Sequence, residues 1–139
     1  MLDLWSHAAE NLLIGTALVE SHLTYLKQVP DGPALGLYQM ESATHDDLWE
    51  NWLTHRSMYA RLVRHHIGDR YPPPNRAQAM LWDLRYATMM CRLQYRRFPE
   101  ALPSADRIDG LARYWKRHWN TSLGAGRVDK FVELYKDHG

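Results

Sequence analysis

The sequence predicts an all-α domain of about five main helices, and three observations predict it. Apolar and small residues recur at helical spacing along most of the chain, and clusters of proline and glycine cut that pattern into segments of helical length. With 139 residues, 45% of them hydrophobic, the chain can build one substantial core but not two comfortable ones, so residues 1–139 are expected to form a single domain.

The first helix is drawn by Trp5, Ala8, Ala9, Leu12, Leu13, Thr16, Val19 and Leu23, and should run to about Lys27 before Pro30-Asp31-Gly32-Pro33 breaks it. Ala34-Leu35-Gly36-Leu37-Tyr38-Gln39-Met40 follows as a compact loop or short extended segment. Thr44 and Asp47 form the expected capping pair of a second helix through Leu48, Trp49, Trp52 and Leu53, which ends at Gly68 and Pro72-Pro73-Pro74. Asn75 is placed to cap a third, carrying Met80, Leu81, Leu84, Ala87, Cys91 and Leu93 up to Pro99 and Pro103. A fourth, from about Ser104, puts Ile108, Leu111, Ala112, Trp115 and Trp119 on one side. Gly124-Ala125-Gly126 then permits a turn into a last short helix with Val128, Phe131 and Val132. There is no internal repeat, flexible linker or low-complexity tail.

Composition narrows the partners. The 17 Lys and Arg nearly balance 16 Asp and Glu, for a formal charge of +1 with no long basic run, so a nucleic-acid partner is not expected. No apolar stretch approaches membrane-spanning length, and Met1 to Trp5 lack the basic and apolar segments of an export signal. The single cysteine, Cys91, has no intramolecular disulfide partner and reads as a small core residue.

One acid stands out. Glu20 lies fifteen positions after Trp5, which at about 100° per residue puts it within about 60° of Trp5 on the core-facing stripe. A carboxyl group there loses solvation of its charged form, its pKa rises, and a carboxylic acid neutral at physiological pH is what protonation of a leaving oxygen requires. Two readings stay open on periodicity alone: a general acid, or a buried charge satisfied by an arginine such as Arg85 or Arg92.

The surrounding residues carry a resemblance. Leu18-Val19-Glu20-Ser21 is followed, sixteen positions after Glu20, by Gly36-Leu37-Tyr38-Gln39-Met40-Glu41-Ser42-Ala43-Thr44. In order, spacing and chemistry this resembles the soluble lytic transglycosylase and goose-type lysozyme superfamily, with its Glu-Ser pair at a helix end and its Gly-Leu-Met-Gln segment leading into a Pro-Ala-Thr helix start. Tyr38 takes the place of the usual methionine, and Glu41 stands where that family often has proline. A third signature, Ala-Tyr-Asn-Ala-Gly, is matched more loosely by His118-Trp119-Asn120 and Gly124-Ala125-Gly126. Tyr86-Ala87, Tyr95, the Pro99-to-Pro103 stretch and Tyr114 through Thr121 are similar to a group of phage and prophage proteins.

The resemblance implies a lysozyme-like fold with a substrate cleft, no cofactor, and cleavage of the bond between N-acetylmuramic acid and N-acetylglucosamine in peptidoglycan. Glu20 would be the catalytic acid/base, Ser21 and Gln39 would arrange substrate or neighbouring groups, and Gly36 would let the backbone pass close to the cleft. Asn120 would face substrate, and the aromatic role would fall to Tyr38, Tyr114 or Trp119. Glu41 has two readings, a second acid at the cleft or a residue favoured by the positive end of the following helix. A hydrolytic lysozyme would need a second carboxylate, for which Glu41, Asp46 and Asp47 are the candidates. Peptidoglycan strands are the expected partner, with phage virion proteins second, and the expected setting is a virion or a host cell whose wall is attacked. The rival expectation is a virion structural or assembly protein that keeps the scaffold without the activity.

Six Trp and eight Tyr suit sugar rings as well as cores; Trp5, Trp49, Trp52 and Trp115 are assigned to packing. The eight histidines match no familiar zinc motif, either at His45 with Asp47 or at His65-His66, and no metal site is expected. Arg92, Arg96 and Arg97 read as a solvated helix face, or as contacts to wall phosphates or virion partners.

Overall fold

A computed structural model of the chain describes residues 4–23, 34–72, 75–121 and 124–138. The all-α expectation holds: the described residues form α1 (His7–Ser21), α2 (Ser42–Asn51), α3 (Ser57–Ile67), α4 (Leu84–Arg96), α5 (Ile108–Trp115) and α6 (Val128–His138). One antiparallel pair of two-residue strands, β1 (Ala34–Leu35) and β2 (Met40–Glu41), lies between α1 and α2 in register Ala34↔Glu41 and Leu35↔Met40.

The helix boundaries depart from the periodicity in instructive ways. Ser6 caps α1, its hydroxyl accepting from the Ala9 amide at 3.0 Å, but the helix ends at Ser21 because His22 and Leu23 both turn to positive φ. Leu23 is therefore 53% exposed and leaves the apolar stripe, and the expected continuation over 24–27 lies outside the described residues. The second helix is broken in two at Trp52, with a 3₁₀ turn over Leu53–His55 that buries Leu53 completely; no glycine or proline marks the break. Thr44 and Asp47 do not cap α2, whose N-cap is Glu41 without a side-chain hydrogen bond. Asn75 opens a 3₁₀ turn (Asn75–Leu81), and Asp83 caps α4 instead, accepting from the Tyr86 amide at 2.9 Å and from His66 and Tyr71 as well. An ionised side chain with three donors on it is a stronger cap than a neutral amide.

Two hydrophobic clusters share α4. Leu48, Leu53, Val63, Ile67 and Met80 pack against Tyr86, Met90 and Leu93 on one side of that helix. Leu12, Leu111, Trp115 and Phe131 pack against Cys91 and Tyr95 on the other. The half-buried rings of Tyr38 and Trp119 touch both clusters and mark the seam between them. The Cys91 thiol is fully buried, and burial pushes its pKa up, as befits a core residue. Trp49 is buried, Trp52 is half-buried and stacks on Tyr59 at 5.5 Å, but Trp5, assigned to packing, is 66% exposed because it precedes α1.

Helix α1 crosses α6 closely at Gly15, where an added Cβ would lie 2.1 Å from Cζ of the buried Phe131 ring. Gly15→Ala gains up to about 1 kcal/mol of helix propensity, yet the overpacking is expected to outweigh it and leave a net loss of about 1–3 kcal/mol. Denaturant unfolding of the variant checks this; unchanged or increased stability would mean that α1 and α6 are not held in this contact.

Candidate active site

Three pieces of chain meet at the seam. The first is the C-terminal turn of α1, where Glu20 is the penultimate residue. The Ser21 hydroxyl bonds back to the Ala17 carbonyl at 3.0 Å, as a buried serine in a helix commonly does. Glu20 itself is mostly covered, and its Oε2 accepts a hydrogen bond from Nε1 of Trp115 at 3.0 Å. Burial raises the Glu20 pKa to about 7 from an ordinary value near 4.5, the loss of solvation outweighing the stabilising indole N–H. Among the described residues Glu20 has no ion pair, and Arg85 and Arg92 instead line a separate, largely apolar cavity of about 550 Å³.

The second piece is the turn Gly36-Leu37-Tyr38-Gln39 that joins β1 to β2. Gly36 has φ +78°, and a Cβ there would come within 2.4 Å of the Met80 carbonyl oxygen, so only glycine lets the turn lie on the 3₁₀ segment behind it. Gln39 also has positive φ, and both its backbone N–H and its Nε2 donate to the Gly36 carbonyl, at 3.0 and 2.9 Å. That leaves the Gln39 side-chain oxygen without a donor among the described residues.

The third piece follows α5. Its last turn widens into a π-helical stretch over Lys116–Asn120, a geometry found often at functional sites. Nε1 of Trp119 donates to the Tyr38 carbonyl at 3.2 Å, tying this stretch to the hairpin turn. The Lys116 ammonium donates to Asn120 Oδ1 at 2.6 Å and to the carbonyls of Gly124 and Gly126 at 3.0 and 2.7 Å. Asn120 is thereby oriented, with its Nδ2 lacking an acceptor among the described residues. Gly124 and Gly126 serve close approach more than turning: a Cβ on either would lie 2.5 Å from Asn120 or from the Trp115 ring.

Together these pieces enclose a cleft of about 430 Å³ whose lining includes Glu20, Gln39, Glu41, Trp119 and Asn120. Five residues chosen from the sequence, spread over a hundred positions, thus share one groove. The other four lie elsewhere. Ser21 and Gly36 are buried behind the walls. The Tyr38 hydroxyl pairs with Thr88 at 3.0 Å and its ring faces the apolar cavity, so it reaches the cleft region only through its carbonyl. Tyr114 is buried, donating to the Glu100 carbonyl at 3.0 Å.

The sequence also left residues unclaimed. Thr44, Gln94, Phe98 and His118 line the cleft, and His118 is held by Glu100 at 2.9 Å and by the Phe98 ring at 4.4 Å between centroids. Trp115, read as packing alone, is also the donor to Glu20. Thr44 and His118 sat inside the quoted motifs; Gln94 and Phe98 carry no local signal. Asp46 and Asp47 point away to partners of their own, His45 at 2.8 Å and Arg97 at 2.7 Å.

Among the described residues no group of three or more His, Cys, Asp or Glu side chains is arranged to hold a metal ion. No described helix is long and apolar enough to cross a membrane. The arrangement offers one carboxyl able to hold and release a proton near neutrality, amides on both sides of it and an aromatic wall. Set against protein-family models, curated proteins and solved structures, the chain finds no match among any of the three.

Proposed function

We propose that this chain is a lysozyme-like domain that cleaves the MurNAc-GlcNAc β-1,4 bond of peptidoglycan by a lytic transglycosylase reaction. The observation that carries the reading is Glu20: a covered carboxyl with its pKa raised to about 7, opening on a groove that also holds Gln39, Trp119 and Asn120. A groove of about 430 Å³ falls in the range of ligand sites, and one that joins an aromatic face to amide donors and acceptors suits a sugar.

In the first step the protonated Glu20 gives its proton to the glycosidic oxygen as the bond from muramoyl C1 to that oxygen breaks. The resulting carboxylate then takes the proton of the muramoyl 6-hydroxyl while its oxygen bonds to C1, closing a 1,6-anhydro ring. Water is neither consumed nor released, and the acid is restored. Trp115 supports both halves, since its N–H favours the carboxylate formed between them.

Glu41 favours a second reading. Exposed at the start of α2 and lining the same cleft, it is the carboxylate that a hydrolytic lysozyme would use to activate water. Mass analysis of the ends released from purified glycan strands separates these readings. Anhydromuramoyl ends are expected; reducing ends would transfer the role of base to Glu41, and no release by the native chain would favour a virion scaffold without activity. Delivery within a phage particle, or synthesis in an infected host, would bring the domain to the wall.

A further inference from the structure

Away from the cleft, α1 and α4 part around the apolar cavity of about 550 Å³, a volume typical of small-molecule sites. Helix α1 supplies Ala9, Leu13 and Ile14 to its walls, and α4 supplies Leu84, Met89 and Leu93. Trp5, Ile14, Leu62 and Leu84, all at this cavity, are four of the seven large apolar side chains exposed among the described residues. Exposed apolar surface is thus gathered here, whereas on an ordinary surface such residues are scattered singly. Three charged residues join the lining. The Glu10 carboxylate accepts from Nε1 of Trp5 at 3.2 Å, and Arg92 donates through Nε to the Leu4 carbonyl, fastening the approach to α1 against α4. Arg85, in the first turn of α4, is exposed and makes no hydrogen bond or ion pair among the described residues.

We infer that this cavity binds a single-chain aliphatic acid, its carboxylate held by Arg85 and its chain laid between α1 and α4. A guanidinium holds a carboxylate through two parallel hydrogen bonds, and each methylene that leaves water for apolar walls adds to the binding. The rest of the lining has little to offer a polar ligand. The Thr88 and Tyr38 hydroxyls are engaged with each other at 3.0 Å, and the Glu10 carboxylate repels a second acid. A sugar or a peptide would leave its own polar groups unpaired there, at a cost that a bare hydrocarbon chain avoids. A concave site of this size encloses one molecule, so the acid is taken up as a monomer and not as part of a bilayer. The inference does not depend on the chemistry at Glu20.

The test is calorimetric titration of the full chain with octanoate, decanoate and 1-decanol, each kept below the concentration at which it aggregates. Saturable binding at one site is expected for both acids, tightening about fourfold for each added methylene. Arg85→Glu should weaken decanoate about tenfold or more while leaving 1-decanol unchanged. Ile14→Glu, which places a charge on the apolar wall, should weaken both ten-carbon ligands. Both positions are exposed, so neither substitution reaches the buried core. No saturable binding of decanoate overturns the inference, as does an Arg85→Glu loss no greater for the acid than for the alcohol, or an Ile14→Glu variant that binds both as the native chain does. Co-sedimentation with phosphatidylglycerol vesicles supplies the last arm: a chain that binds vesicles but neither monomeric acid would make this face a membrane-docking surface and overturn the inference.

Discussion

Glu20→Gln is expected to lower the rate of glycan release by a factor of about 10²–10⁴ while leaving the helical content unchanged. The amide keeps the size of the side chain and still offers an oxygen to Nε1 of Trp115, so the walls of the cleft have no cause to move. What disappears is the proton for the leaving oxygen and the base for the 6-hydroxyl, both of which the proposal assigns to this one group. The native pH profile should carry the same signature. A general acid works only while protonated, so with a pKa of about 7 the rate should decline as the pH rises through 7. Turbidity loss of purified walls, followed across pH for both proteins, checks the pair of expectations. Equal release by the variant would remove Glu20 from the chemistry.

The same substitution is expected to stabilise the fold in alkaline solution, and here the sign follows from linkage. The folded pKa of Glu20, about 7, lies above its ordinary 4.5, so between those values the folded chain holds a proton that the unfolded chain has released. The Glu20 contribution to stability must then fall as the pH rises from 4.5 to 7 and level off above, with a total cost of the order of 3 kcal/mol. Glutamine does not titrate. Denaturant curves should therefore nearly coincide near pH 4 and separate in favour of Glu20→Gln near pH 8, by up to about 3 kcal/mol. A variant less stable than the native chain at pH 8 would show that the carboxylate is a structural partner. Lost activity joined to gained stability is the pattern of a group kept for function at a cost to the fold.

Much of this site could be read in the sequence because its parts are local. The position of Glu20 on an apolar stripe, the glycine before the Gln39 turn and the Trp119-Asn120 pair are each visible within a few residues, and the structure brings Glu20, Gln39, Trp119 and Asn120 to one cleft. The helical class was legible for the same reason. What escaped were features decided at a distance. Asp83 displaces Asn75 as a cap because His66 and Tyr71 come to it from α3 and the loop beyond. Trp115 looks like core until Glu20, ninety-five positions away, is found on its indole N–H. Tyr38 and Tyr114 were favoured as cleft aromatics by their neighbours in the chain, but their hydroxyls are taken up by Thr88 and Glu100. The break at Trp52 has no local sign at all, since periodicity continues straight through it.

The placement of the groove on the boundary between two apolar clusters has a mechanical consequence. Its acid rides on α1 with one cluster, while Gln39 and Glu41 ride on the hairpin with the other, and α4 runs through both as a common spine. A small rotation of either body about that spine would alter the separation between Glu20 and the side chains of Gln39 and Glu41 with every helix still intact. The spacing across the groove is thus set by the alignment of two halves, which the hydrogen bond from Trp119 to the Tyr38 carbonyl helps to latch.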